Sequence, residues 1–228
     1  MALADLRSVG ILGGTFNPPH IGHVALARHA RSELGLERVL LMPAFLAPNK
    51  PTVGDDPGPA HRLQMCRLAV AHEPGLRASA LEIERGGASY TVDTVQAIHD
   101  AHPAAELTLI LGADTARTLP GWHEAARLLG MVTRLAVAQR DEPDAEDVRE
   151  AVPASAVPAS APGPDSPPAM TLLRMARIAV SSSAVRELIA AGAPVRELVG
   201  EAVAGYIAQH GLYRAAAAAA APSGGVAS

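Results

Sequence analysis

Gly13-Gly14-Thr15-Phe16-Asn17-Pro18-Pro19-His20-Ile21-Gly22-His23, GGTFNPPHIGH, lies between an apolar run, Val9 to Leu12, and a segment of helical spacing, Val24 to Leu34. Strand, glycine-rich turn and helix in that order open a parallel α/β unit, and such units bind ligands beyond the carboxyl ends of their strands. Gly13 and Gly14 let the backbone turn sharply and approach a ligand, while Pro18 and Pro19 stiffen the path into the helix. With the helix starting at Ile21 to Val24, its free N–H groups and positive dipole end favour a phosphate. His20 and His23, at i and i+3, share one face at that end. For this composition H-x-G-H is expected by chance only about 0.03 times, so accident explains it poorly. The stretch matches neither G-x-G-x-x-G nor G-x-x-x-x-G-K-[ST], which disfavours a nicotinamide dehydrogenase or a P-loop hydrolase.

Outward from this turn the same alternation continues. Further apolar runs of strand character lie at Val39 to Met42, Ala78 to Ile83, Leu107 to Leu111, Leu135 to Ala138 and Ile178 to Val180. Helical spacing separates them at Arg62 to Ala71, Thr91 to Ala101 and His123 to Leu129. Short strands that are apolar throughout predict a sheet covered on both faces. The expectation is an α/β chain with a Rossmann-like, doubly wound parallel sheet of five to six strands. Two C-terminal helices, Ala184 to Ala191 and Val195 to Gln209, should end at left-handed Gly192 and Gly211. A single domain over 1–213 is expected, with a flexible Pro/Ala-rich insertion at 141–169 and a disordered tail at 214–228.

Composition narrows the function. The 228 residues are 49% hydrophobic, enough for a core, and a net charge of −4 gives no reason to propose nucleic acid or an anionic membrane as partner. Cys66 is the sole cysteine, which excludes a disulfide framework and a thiolate metal site and suits a reducing cytoplasm. The N-terminus carries no signal-peptide pattern, and no apolar run reaches membrane-spanning length. A cytoplasmic location follows as an expectation.

A second anion site is legible in IAVSSSAVR, Ile178 to Arg186. Ser181, Ser182 and Ser183 supply cap oxygens and backbone donors, and Arg186, one turn into the helix, can fork onto phosphate oxygens. LGADTARTLPGWH, Leu111 to His123, sets Gly112 and Asp114 just past a strand and ends near the only tryptophan, Trp122. SYTVDT, Ser89 to Thr94, opens a helix with hydroxyls.

GGTFNPPHIGH resembles the signature of the nucleotidyltransferase superfamily with a (T/H)-x-G-H motif. Its GGTF-x-PPH form is similar to bacterial nicotinate mononucleotide adenylyltransferases in particular, and the likeness covers most of residues 8–213, including YIAQHGLY at Tyr206 to Tyr213. In that family the histidines contact the ATP phosphates and stabilise a pentavalent transition state, which the resemblance implies for His20 and His23. It implies ATP contacts at Gly13, Gly14, Thr15 and Phe16 as well. IAVSSSAVR resembles the family's ISST-x-x-R element, which assigns Ser182, Ser183 and Arg186 to the phosphates, with Ser183 where threonine is usual.

For the acceptor the resemblance implies Asn17, Lys50, Tyr90, Thr91, Gly112, Asp114, Trp122 and His123. Trp122 would stack on the pyridine ring, donors near Thr91 and His123 would hold the nicotinate carboxylate, and Asp114 would touch the ribose. Lys50, in PAFLAPNK, would join His20, His23 and Arg186 in catalysis, although Asn49 departs from the usual P-x-H-K. Asn17 replaces the commoner aspartate, and either side chain can accept a hydrogen bond there. The implied reaction is adenylyl transfer from ATP to nicotinate mononucleotide, releasing pyrophosphate, with Mg2+ bound through the phosphates and no protein metal ligand. Self-association is left open. Rival acceptors are nicotinamide mononucleotide and phosphopantetheine, although enzymes for the latter usually carry T-x-G-H and lack a GADTARTLPGWH-like segment. A noncatalytic adenine nucleotide sensor is the rival from another class.

Overall fold

Six parallel strands build the sheet: β1 (Ser8–Gly14), β2 (Arg38–Pro43), β3 (Leu76–Ala78), β4 (Glu106–Gly112), β5 (Arg134–Gln139) and β6 (Ala169–Arg174). The computed structural model describes residues 7–48, 54–139, 168–176 and 178–214. The strand order is β3-β2-β1-β4-β5-β6, so the winding reverses between β1 and β4. That reversal opens a crevice beyond the carboxyl ends of the two central strands, at Gly14 and Gly112.

The alternation of side chains along each strand divides the interior into two layers. Val9 and Ile11 of β1, Leu107, Leu109 and Leu111 of β4, and Leu135 and Val137 of β5 face one layer. There they meet α4 (Thr91–Ala101), α5 (Ala113–Thr118) and α6 (Ala125–Met131) through Val92, Val95, Ala113, Ala116 and Leu128. Leu12, Ile110 and Ala136 face the other layer, against Ala27 and Ala30 of α1 (Ile21–Glu33) and Cys66 of α2 (Pro59–Ala69). This two-sided burial is why the strands read as unbroken apolar runs. A third cluster joins Met65 of α2 to Val185, Val199, Val203, Ile207 and Tyr213. It seats α7 (Ser182–Ala190), α8 (Arg196–Val199) and α9 (Glu201–His210) beside the sheet.

The doubly wound parallel sheet is as expected, and several boundaries differ. The run Ala78 to Ile83 is not one strand: β3 ends at Ala78 and α3 (Leu81–Arg85) follows. Ser79 Oγ accepts from Leu81 N–H at 3.3 Å, turning the chain there. Ile178 to Val180 forms no strand. The sheet edge is taken by Ala169–Arg174, which pairs with β5 along six residues. The closing segment Val195 to Gln209 is two helices, broken at Gly200, whose φ of 84° ends α8 and starts α9. Gly192 and Gly211 take the left-handed backbone expected of them. The segment after β4 is helical at α5 and then makes a 3-10 turn, Leu119–Gly121. Most of the expected insertion and tail, 141–167 and 215–228, lies outside the described residues, as do Asn49 and Lys50; Ala169 is the first residue of β6. No helix among the described residues is long and apolar enough to cross a membrane.

Candidate active site

The turn after β1 carries the local geometry that its residues demand. Phe16 takes a φ of 52°, and its ring lies buried under the loop, where a Cβ at Gly14 would come within 3.1 Å of it. The Asn17–Pro18 peptide bond is cis. His20 is the N-cap of α1, with extended backbone at φ −141° and ψ 170°. Its N–H donates to His23 Nδ1 at 3.2 Å. A ring nitrogen that accepts a hydrogen bond carries no proton, so the neutral His23 keeps its proton on Nε2. The two imidazoles stack with centroids 3.7 Å apart, and Phe16 meets His23 edge-on at 4.9 Å. Gly22 completes the motif for a steric reason: a Cβ there would stand 3.1 Å from His20 Nδ1 and 3.2 Å from Val180 Cγ1.

The loop is held from behind through its carbonyls. Arg62 Nη1 donates to Thr15 O at 2.9 Å, Arg186 Nη1 to Asn17 O at 2.8 Å, and Ser182 Oγ to Pro18 O at 2.8 Å. The Tyr213 hydroxyl donates to Asn17 Oδ1 at 2.7 Å. Burial, and then the negative charge of Asp56, push the Tyr213 hydroxyl above its ordinary range, so it remains a donor. Each of these bonds occupies an oxygen whose partial negative charge would otherwise oppose a bound phosphate.

A second helix N-terminus faces the first. Ser181 caps α7, its Oγ accepting from Ala184 N–H at 3.1 Å. Arg186 lies one turn in, 3.4 Å from Ser183 Oγ through Nη2 and 3.2 Å from Asp55 Oδ2 through Nε. Between the helices is a cavity of about 500 Å3 lined by Gly13 to Asn17, His20, His23, Asp56, Gly112, Ser181 to Ser183 and Arg186, among others. A Cβ added to Gly13 or Gly112 would meet no atom within 4 Å, so both backbones border open space.

A smaller constellation lies across β4. Tyr90 caps α4, and its ring sits 4.3 Å from that of His123. Trp122 Nε1 donates to Thr118 Oγ1 at 2.9 Å, and Asp114, 73% exposed, pairs with Arg117 at 2.9 Å. Tyr90 and Trp122 both pack against the core on the α4 side of the sheet.

Residues 11–188 match the cytidylyltransferase-like family model. The chain belongs to that family. It is 42% identical over 210 residues to a probable nicotinate-nucleotide adenylyltransferase of Roseiflexus, covering 90% of this chain and 98% of the relative. A protein of the same name from Herpetosiphon aurantiacus is 38% identical, covering 92% and 100%. The fold is that of a solved Plasmodium falciparum nicotinic acid mononucleotide adenylyltransferase complexed with NaAD, at a TM-score of 0.69 and 16% identity over 91% of this chain and 97% of that one.

In this cytidylyltransferase-like chain the cavity brings together twelve of the residues singled out in the sequence: Gly13, Gly14, Thr15, Phe16, Asn17, His20, His23, Gly112, Ser181, Ser182, Ser183 and Arg186. Tyr90, Thr91, Asp114, Trp122 and His123 do not line it; they stand on α4 and in the segment after β4, with Gly112 at the border. Lys50 falls outside the described residues. Asp56, Ile178 and Val180 are wall residues that the sequence did not mark, the last two because their apolar run read as a strand. Arg62 and Tyr213 were also missed as supports of the loop. The available signal for Arg62 was an arginine within the buried stretch Leu63, Met65 and Cys66 of α2.

Proposed function

We propose that the chain transfers the adenylyl group of ATP to nicotinate mononucleotide, forming nicotinate adenine dinucleotide and pyrophosphate, as a step of NAD biosynthesis. The observation that carries this reading is the convergence of two capped helix N-termini and the H-x-G-H pair on one cavity at the switch point of the sheet. The names of its curated relatives supply the acceptor. The lone, buried Cys66 suits work in a reducing cytoplasm.

The triphosphate lies across the N-termini of α1 and α7, where unpaired N–H groups and both dipoles favour negative charge. An oxygen of the acceptor phosphate attacks the α-phosphorus in line. A new P–O bond forms, the bond to the β-phosphate bridging oxygen breaks, and pyrophosphate leaves with that electron pair. No protein nucleophile takes part, so the chain's task is to position the phosphates and to neutralise charge that grows in the transition state. His23 donates from Nε2, His20 stacks beside it, Arg186 presents its positive charge at the cavity wall, and Lys50 adds a further positive charge. Magnesium, held through the ATP phosphates rather than by protein ligands, would supply charge neutralisation there. Across β4, Trp122 stacks on the pyridine ring, Thr91 and His123 hold its carboxylate, and Asp114 meets the ribose.

The test is pyrophosphate release from ATP and magnesium with three separate acceptors: nicotinate mononucleotide, its amide and phosphopantetheine. The expected outcome is a strong preference for the nicotinate compound. Release with none of the three, despite ATP binding, would make the chain a nucleotide sensor instead.

A further inference from the structure

Phe45, just beyond β2, stands between two networks of buried side chains. On one side is Arg62, only 2% exposed. Its guanidinium donates to Thr15 O at 2.9 Å, Ala44 O at 2.6 Å and Phe45 O at 3.0 Å, and its Nε to Asp56 Oδ1 at 3.1 Å. On the other side is Ser89, whose Oγ accepts from Phe45 N–H at 2.9 Å. Thr94 Oγ1, on α4, donates to Glu82 Oε1 at 2.7 Å and itself accepts from Arg85 Nη2 at 3.2 Å. Ser89 N–H donates to Leu46 O at 2.8 Å, which adds a backbone tie between the same two segments.

The hydrogen bonds are continuous. They run from the carbonyl of Thr15, in the phosphate-binding turn, through Arg62 and the Phe45 peptide group to Ser89, the residue next to Tyr90 and Thr91, with which α4 begins. Every side chain on this path is nine-tenths or more buried. A buried, satisfied network of this kind fixes one arrangement of the segments it joins, because any slip leaves a charged or polar group unpaired.

We propose that Arg62 and Ser89 are positioning residues that set the ATP subsite and the acceptor subsite in register through the Phe45 peptide. The inference rests on the adenylyl-transfer reading given above. Each substrate binds on its own side of β4, but in-line attack requires the acceptor oxygen and the α-phosphorus at near-attack distance, and misplacement on the order of 1 Å costs up to about a hundredfold in rate. Neither residue lines the cavity. Their loss therefore alters the separation of the bound substrates more than the binding of either one.

The experiment uses the full chain with Arg62→Lys, Ser89→Ala and the pair, measuring kcat, both KM values and the thermal midpoint. The expected result is a kcat about tenfold lower in each single variant, with the KM for ATP and for nicotinate mononucleotide each held within about twofold. The pair should be about as slow as the slower single, since both substitutions cut one path. Ser89→Thr, which keeps the hydroxyl, should restore most of the rate lost in Ser89→Ala, and this arm stands even if the Arg62 variant does not fold. The proposal is overturned by variants that lose thermal stability but keep wild-type kcat, by losses that multiply in the pair, or by a Thr variant no faster than the Ala one. A wild-type chain silent with every acceptor would sink the adenylyl-transfer reading and the register with it; an active wild type with indifferent variants sinks the register alone.

Discussion

The turn after β1 and the segment after β4 leave adjacent strands at the same edge of the sheet, yet they are held in opposite ways. The bonds that fix the first come from Arg62, Ser182, Arg186 and Tyr213, which are 47, 164, 169 and 196 residues away from their partners in the chain. Those of the second are mostly local: Arg117 to Asp114, Trp122 to Thr118 and Arg127 to Glu124 are each three or four residues apart, while Arg127 to Gln96 spans 31. A loop tied by long-range bonds is set only when the whole domain is folded, and it then costs little to reorganise at the moment of reaction. In a segment whose side-chain bonds are mostly its own, exposed groups such as Asp114 can adjust while Ala113, Ala116, Leu119 and Leu128 stay in the core. Phosphate chemistry needs the first property, and entry and release of the acceptor are served by the second.

The largest expected effect tests the rigid side. His23→Ala removes a donor whose tautomer is fixed by the His20 N–H, and kcat should fall by about a hundredfold or more, as for loss of one charge-stabilising group. Steady-state kinetics at saturating ATP and acceptor read this directly. An unchanged kcat would mean that the preorganised turn only binds, and the contrast between the two regions would lose its catalytic meaning.

A smaller effect tests the local side. Trp122→Ala should raise the KM for nicotinate mononucleotide by about fivefold, the scale of one lost aromatic contact, while the KM for ATP stays within about twofold. An equal rise in both KM values would show that the segment after β4 is mechanically continuous with the phosphate turn.

What could be read in the sequence divides between the local shape of each stretch and the long-range bonds that hold it. GGTFNPPHIGH was legible because its turn chemistry, helix start and histidine spacing are set by neighbours in the chain. IAVSSSAVR was half legible. Its serines and Arg186 fall where expected, but Ile178 to Val180 are cavity wall, since the sheet edge is filled by Ala169–Arg174, whose apolar run abuts the Pro-rich stretch. Glu82 was read within a strand and is instead in a short helix, where its partner is Thr94, twelve residues on. Arg62 carried no motif, and Tyr213 lay in YIAQHGLY without a role at the site; their importance arises from carbonyls and an amide brought to them by the fold. Residues that act through short-range geometry announce themselves, and residues that act through tertiary contacts do not.

Glu82 gives the smallest effect and the sharpest view of the side that meets the acceptor. Burial raises its pKa above the ordinary 4.5, against the opposing pull of hydrogen bonds from Thr94 and Ser89 and the charge of Arg85. A folded chain that holds this proton more tightly than the unfolded chain gains stability below the ordinary carboxylate value and loses that gain as pH rises through the raised one. The sign follows directly: over that window the wild type should become less stable with increasing pH. Glu82→Gln keeps the shape and cannot titrate, so its stability curve should lack this slope, and chemical denaturation at a series of pH values compares the two. Identical slopes would mean that Arg85, Thr94 and Ser89 hold the carboxylate ionised at no net cost. In that case Glu82 would be a permanent anchor of the helix that begins at Thr91.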